Sequence, residues 1–265
     1  MISIRTLLVP STIIADEVEA HDGMSNRVGS CELAVVIDVL RATSVMVTAL
    51  SAGADSIVTC GTIQQARDRA SRLKSQSILC GERNCQRIEG FDLGNSPAEY
   101  TSQRVSGKHL ILTTTNGTRA IQSMHAAPSV AIASFLNLSS VVKRIAAAES
   151  VSIVCAGTNG QVTGEDVLLA GALISRLRFF GKSMRLDDSS EIANAFWDLR
   201  IEARKNGSSV SETSLLEDCL GQTLGGRNLK HLGFEKDLQA CSKIDSFTGV
   251  PMRTLNSTDT FILAN

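Results

Sequence analysis

"ELAVVI" (residues 32–37), followed at once by "DVLRATS" (38–44), is the pattern from which the fold is read: an apolar β-type run, then a polar turn opening a helix over 40–51. The run recurs. "LLVP" stands near the start, "SIVTC" at 56–60, "SILC" at 77–80, "HLILT" at 109–113, "SVAIA" at 129–133 and "VSIVC" at 151–155. Helical patterns fill most intervals. "TIQQARDRASRLK" (62–74) sets Ile63, Ala66, Ala70 and Leu73 on one face, and "LSSVVKRIAAAE" (138–149) and "EDVLLAGALISRLRFF" (165–180) behave alike. Strands alternating with helices predict βαβ units, an α/β fold and a mostly parallel sheet, with all strand carboxyl ends on one edge.

Beyond residue 188 the texture changes. "SSEIANAFWDLRIEARKNG" (189–207) predicts a helix stopping near Gly207, and "SETSLLEDCLGQTLGGRNLKHLG" (211–233) two short helices broken at Gly225-Gly226. The tail, 234–265, is weakly patterned. No low-complexity linker or 20–50-residue repeat interrupts the chain, so one domain over 1–265 is expected. Hydrophobic residues are 43% of the total and aromatics 4%, so the core must be Leu, Ile, Val and Ala, which suits parallel strands covered by helices.

The totals also exclude function classes. A net charge of -1, from 26 basic and 27 acidic residues, leaves no footprint for nucleic acid. No apolar run reaches the roughly 18 residues of a membrane span. "MISIRTLLVPSTI" lacks the parts of a signal peptide and reads as an opening strand. Cysteines at 31, 60, 80, 85, 155, 219 and 241, with no Cys-x-x-Cys pair, predict free thiols in a reducing, cytoplasmic setting and no zinc site. The histidines at 21, 109, 125 and 231 have no ligand spacing.

Ligands of open α/β sheets bind beyond the carboxyl ends of the strands, so four turns form the candidate site. Asp38 ends "ELAVVI" with Arg41 three residues on: a metal ligand with an anion holder, or a helix cap. "GERNCQRIEGFDLGNSPAEY" (81–100) brings Glu82, Asp92, Asn95 and Ser96, and its Ser96-Pro97-x-Glu99 also fits a capping box. Thr114, Thr115, Asn116 and Gly117 leave backbone N–H groups free at a helix start, an anion site or a simple cap. "AGTNGQVTGED" (156–166) ends in Glu165 and Asp166, which serve a metal or, with Thr163, a second capping box. Carboxylate oxygens with few imidazoles suit a hard ion, Mg2+ over Zn2+. Such an ion beside anion-binding amides and Arg is the equipment for a phosphate ester. Covalent phosphatase signatures are absent: Leu40 stands where Asp-x-Asp needs an acid, and Ala66, Gln86 and Gln161 where Cys-x5-Arg loops need arginine.

"VVIDVLRATSV" (35–45), "CGERNCQRIEGFDLGNSPAEY" (80–100), "LTTTNGTRAI" (112–121) and "CAGTNGQVTGED" (155–166) together resemble the 2-phosphosulfolactate phosphatase family. "GGRNLKHLGFEKDL" (225–238) and "VP" (250–251) match more weakly, Cys85 stands where the family usually has Gly, and 182–210 matches least. The resemblance implies a layered α/β/α fold particular to the family. It implies a Mg2+-dependent hydrolase turning 2-phospho-3-sulfolactate into 3-sulfolactate and phosphate, a coenzyme M synthesis type of step. On that basis Asp38, Glu82, Asp92, Glu165 and Asp166 include the Mg2+ ligands and the base that orients water. Arg41 and the 114–117 turn hold phosphate, Asn95 and Ser96 contact substrate, and Arg119 and Arg227 are further anion contacts. Two alternatives stand beside this: a phosphatase for another 2-phospho-2-hydroxy acid, and a non-catalytic anion-binding protein. A homodimer is compatible with the sequence.

Overall fold

The computed structural model describes residues 1–10, 31–73, 76–205 and 209–264; Lys74 at the expected helix end, the stop at Gly207, and His21 lie outside them. The described strands are β1 (Ile2–Leu7), β2 (Leu33–Ile37), β3 (Ser56–Thr59), β4 (Ser77–Arg83), β5 (Gln86–Arg87), β6 (His109–Thr113), β7 (Ser129–Ala133), β8 (Ser150–Cys155), β9 (Met184–Leu186), β10 (Val250–Arg253) and β11 (Thr260–Ala264). They lie in one sheet in the order β5-β4-β6-β3-β11-β10-β7-β2-β8-β1-β9.

Strand β2 shows why the layers form. Successive side chains point to opposite faces. Leu33, Val35 and Ile37 join a core cluster with Ile4, Ile153, Leu169 and Trp197. Ala34 and Val36 join another with Met46, Leu50, Leu112 and Phe261. Both faces are therefore covered. Helices Leu138–Ala146, Gly164–Arg178 and Asp188–Trp197 pack on the first, and Ala42–Ser51 and Gly117–Ser123 on the second. Burying one such aliphatic side chain contributes about 1.5–3 kcal/mol. The result is the layered α/β/α fold with a mostly parallel sheet.

Three expectations are corrected. First, the strand carboxyl ends do not share one edge. The blocks β4-β6-β3 and β7-β2-β8-β1-β9 are each parallel inside. Three antiparallel junctions, β3–β11, β11–β10 and β10–β7, separate them, so the blocks run oppositely. Strand twist of about 20–25° per step accumulates over the five steps from β6 to β2 to roughly 100–125°, which turns nominally opposed ends toward one another. Second, the weakly patterned tail supplies β10 and β11, in the middle of the sheet. Pro251 has no N–H to give a central ladder, and β10 meets β7 at the single register pair Met252↔Ala131. Third, the helix break falls at Thr223, between Glu212–Gln222 and Leu224–His231. Thr223 Oγ1 caps the second helix by accepting the Gly226 N–H at 3.1 Å, so the glycine pair lies inside the first turn. The helix expected over 189–207 runs Asp188–Trp197 and continues through a π-helical turn, Asp198–Glu202.

All seven cysteines are free, and all but Cys85 are buried. Among the described residues no helix is long and apolar enough to cross a membrane.

Candidate active site

Four polar turns converge on a cavity of about 290 Å³. Asp38 follows β2, and its Oδ1 accepts the Ala42 N–H at 3.2 Å. The capping reading is thus part of the truth, but Oδ2 stays uncommitted. Gly117 lets the next turn close on it, since a β-carbon there would sit 2.6 Å from Asp38 Oδ2 and 2.5 Å from Ala42 Cβ. The Leu40–Arg41 peptide is cis.

Asp166 has both oxygens engaged. Oδ1 accepts the Val39 N–H at 2.9 Å, and Oδ2 accepts the Gly157 N–H at 2.9 Å and the Thr163 hydroxyl at 3.3 Å. It clasps the turns after β2 and β8. Glu82 performs the same task on the other side. Its Oε1 accepts the Thr115 N–H at 2.7 Å, and its Oε2 accepts the Cys85 N–H at 2.8 Å. Strand β4 continues through Glu82 to Arg83 and turns at Asn84 and Cys85, both in the left-handed region (φ 53° and 63°). That backbone is the reason glycine suits position 85.

Glu165 lies against Gly225, where a β-carbon would fall 2.1 Å from Oε1. Its Oε2 is buried with no hydrogen-bond partner, as are Asn95 Oδ1 and Thr115 Oγ1 on the same cavity wall. Unpaired buried polar groups cost about 1–3 kcal/mol each, so these three atoms have hydrogen-bonding capacity open to water or a ligand in the cavity.

The charge pattern agrees. Burial, then repulsion from Glu82 and Glu165, pushes the Asp38 carboxyl up to about 7 despite its bond from Ala42. Burial raises Glu165. Asp166 is held well above the usual carboxylate range by burial, then by Asp38 and Glu165. Several acids confined together in low dielectric want either protons or a cation. The donor set, hard oxygens with uncommitted atoms on Asp38 and Glu165, fits Mg2+ by chemistry. Among the described residues no three His, Cys, Asp or Glu side chains already stand grouped to hold a metal.

Other expected residues divide. Asn116 lines the cavity and accepts the Asn159 N–H at 3.2 Å. Arg41 lines it too. Thr114 is buried as a cap, its Oγ1 accepting the Thr118 N–H at 3.1 Å. Ser96 is half-buried and donates to Asp237 Oδ1 at 2.6 Å. Glu99 accepts the N–H groups of Gly94 at 3.0 Å and Ser96 at 3.4 Å, so it caps the short Pro97–Glu99 turn. Asp92, Arg119 and Arg227 are exposed and outside the cavity lining. Asp92 is turned away because its Oδ2 accepts the Leu79 N–H at 2.9 Å, and Arg227 donates to the Gln222 carbonyl. Sequence reading missed Asn84, Asn228 and His231 on the cavity wall, and Asp237 behind Arg41. The weak 225–238 motif was the only signal for the last three.

The geometry can be set beside known proteins. The sequence model of the 2-phosphosulpholactate phosphatase family matches residues 19–256. A Thermotoga petrophila protein named probable 2-phosphosulfolactate phosphatase is 44% identical over 221 residues, covering 83% of this chain and 88% of that one. A Thermotoga maritima protein of the same name is 43% identical with the same coverage. One from Caldanaerobacter subterraneus subsp. tengcongensis is 36% identical over 235 residues, covering 88% and 92%. With the match running through all four turns of the cavity, the chain belongs to the 2-phosphosulpholactate phosphatase family.

Proposed function

We propose that this chain is a phosphoric monoester hydrolase that converts 2-phospho-3-sulfolactate to 3-sulfolactate and phosphate with Mg2+, a reaction of coenzyme M synthesis type in the cytoplasm. The observation that carries the reading is the buried acid group, Asp38, Glu165 and Asp166, lining one cavity together with unpartnered polar atoms of Asn95 and Thr115. Family membership supports it.

Asp38 and Glu165 each keep an oxygen free of backbone bonds, so these two divide the tasks of holding the ion and taking the proton of the attacking water. A bound Mg2+ would supply charge neutralisation on the phosphoryl oxygens. Asp166 and Glu82 fix the turns that carry the site through four backbone N–H groups. Asn95, Thr115 and Arg41 bind substrate oxygens. Phosphate release from 2-phosphosulfolactate, 2-phospholactate and phosphoglycolate, with Mg2+ and with chelator, tests the reading. Mg2+-dependent turnover fastest on 2-phosphosulfolactate is expected, and no Mg2+-dependent release from any of them overturns it.

One observation favours a second reading. The substrate carries phosphate, carboxylate and sulfonate, yet of the three arginines expected to meet them only Arg41 lines the cavity. A less charged 2-phospho-2-hydroxy acid suits that wall, and the same panel separates the two.

A further inference from the structure

Arg41 sits in an unusual electrical position. It lines a cavity with Asp38, Glu82, Glu165 and Asp166, and stands three residues from Asp38. A guanidinium there should fall onto the nearest carboxylate. Among the described residues, no ion pair joins Arg41 to any of these four. Its partner is Asp237, which is not part of the cavity lining: Nη1 to Oδ2 is 2.5 Å, with side chains only 2% and 3% exposed.

The orientation is determined from several directions. Nη2 donates to the Cys85 carbonyl at 3.0 Å, and Cζ lies 4.4 Å above the Phe234 ring. Asp237 is itself fixed, since its other oxygen accepts the Ser96 hydroxyl at 2.6 Å. Two of the five guanidinium N–H donors are thereby committed, one of them to Asp237 outside the cavity lining.

We propose that Asp237 is a positioning residue for substrate binding: a counter-ion behind the cavity that keeps Arg41 off the acids and presents its remaining donors to an acid group of the ligand. The inference rests on the phosphate-ester reading of the cavity. It brings the helix Glu235–Cys241 into the site through Asp237, 196 positions along the chain from Arg41.

The test is a double-mutant cycle on the full chain. The dissociation constants of 3-sulfolactate and of inorganic phosphate are measured by calorimetry for wild type, Asp237→Asn, Arg41→Met and the double variant, beside melting temperature. Asp237→Asn alone should weaken binding at least tenfold, yet change it less than twofold in the Arg41→Met background. A merely structural residue would not show that non-additivity. Binding within twofold of wild type in folded Asp237→Asn, or an equal loss in both backgrounds, overturns the inference. If Asp237→Asn does not fold, Ser96→Ala decides: weakened binding is expected, and unchanged binding counts against the idea. A wild type that binds these anions but hydrolyses no phospho acid sinks the proposed reaction and leaves the positioning role standing. A wild type that binds neither anion sinks the positioning role.

Discussion

Asp38→Asn separates a working acid from a helix cap, because only the first role predicts a gain in stability at high pH. Asn keeps a side-chain oxygen for the Ala42 N–H that Asp38 Oδ1 accepts, so the cap survives. What Asn removes is a buried charge. The Asp38 carboxyl is raised in the folded protein from 3.8 to about 7, chiefly by burial. The sign follows from proton binding. Between these two values the folded state holds the proton that the unfolded chain has released, so stability is fully present below about 4 and is lost as pH rises through 7. A shift of about three units at 1.36 kcal/mol each gives roughly 4 kcal/mol. Because Glu165 and Asp166 titrate with it, this is an upper bound for one residue. Without divalent cation, Asp38→Asn should therefore be more stable than wild type at pH 8 and indistinguishable from it at about pH 3.5, below the unfolded value. Urea unfolding at both pH values, in chelator, measures the difference. A variant of unchanged stability at both values would mean that Asp38 is only a cap, since Asn caps as well as Asp, and the reasoning would fail. The same variant should lose Mg2+-dependent phosphatase activity.

Other outcomes follow from single contacts. Glu82→Gln leaves an NH2 group facing either the Thr115 or the Cys85 N–H, and should cost about 1–3 kcal/mol in denaturant unfolding; unchanged stability with weakened Mg2+ affinity would make Glu82 a ligand instead. Gly225→Ala places a methyl 2.1 Å from Glu165 Oε1, so kcat should fall at least about tenfold as that carboxylate is displaced; wild-type kcat in the folded variant contradicts the role given to Glu165. Arg119→Ala and Arg227→Ala change exposed side chains outside the cavity, and kcat/KM should stay within about threefold, since loss of a charged contact to substrate would cost more than tenfold.

The part of this protein legible in its sequence is the part set by local pattern. Apolar runs such as 33–37 and 109–113 must be buried, and they became β2 and β6. Helical periodicity placed Ile63–Leu73 and Leu138–Ala146. The polar residues between them had few packing uses, which is why Asp38, Glu82, Glu165 and Asp166 stood out and came together. Their division of labour was not legible. Whether a carboxylate keeps a free oxygen depends on which backbone N–H groups lie within 3 Å, and for Asp166 those belong to Val39 and Gly157, brought there by the fold. Arg119 and Arg227 share the motifs of the site, but the face of a helix turn that meets solvent is fixed by packing.

The sequence alone thus determined an α/β fold and the acidic turns that line one cavity, because burial and periodicity act over a few residues. Tertiary structure decided the rest. It put the weakly patterned β10 and β11 at the sheet centre, reversed one block of strands against the other, and set Asp237 behind Arg41. Each of these depends on residues far apart in the chain, and pairing energy over such distances exists only once the chain has folded.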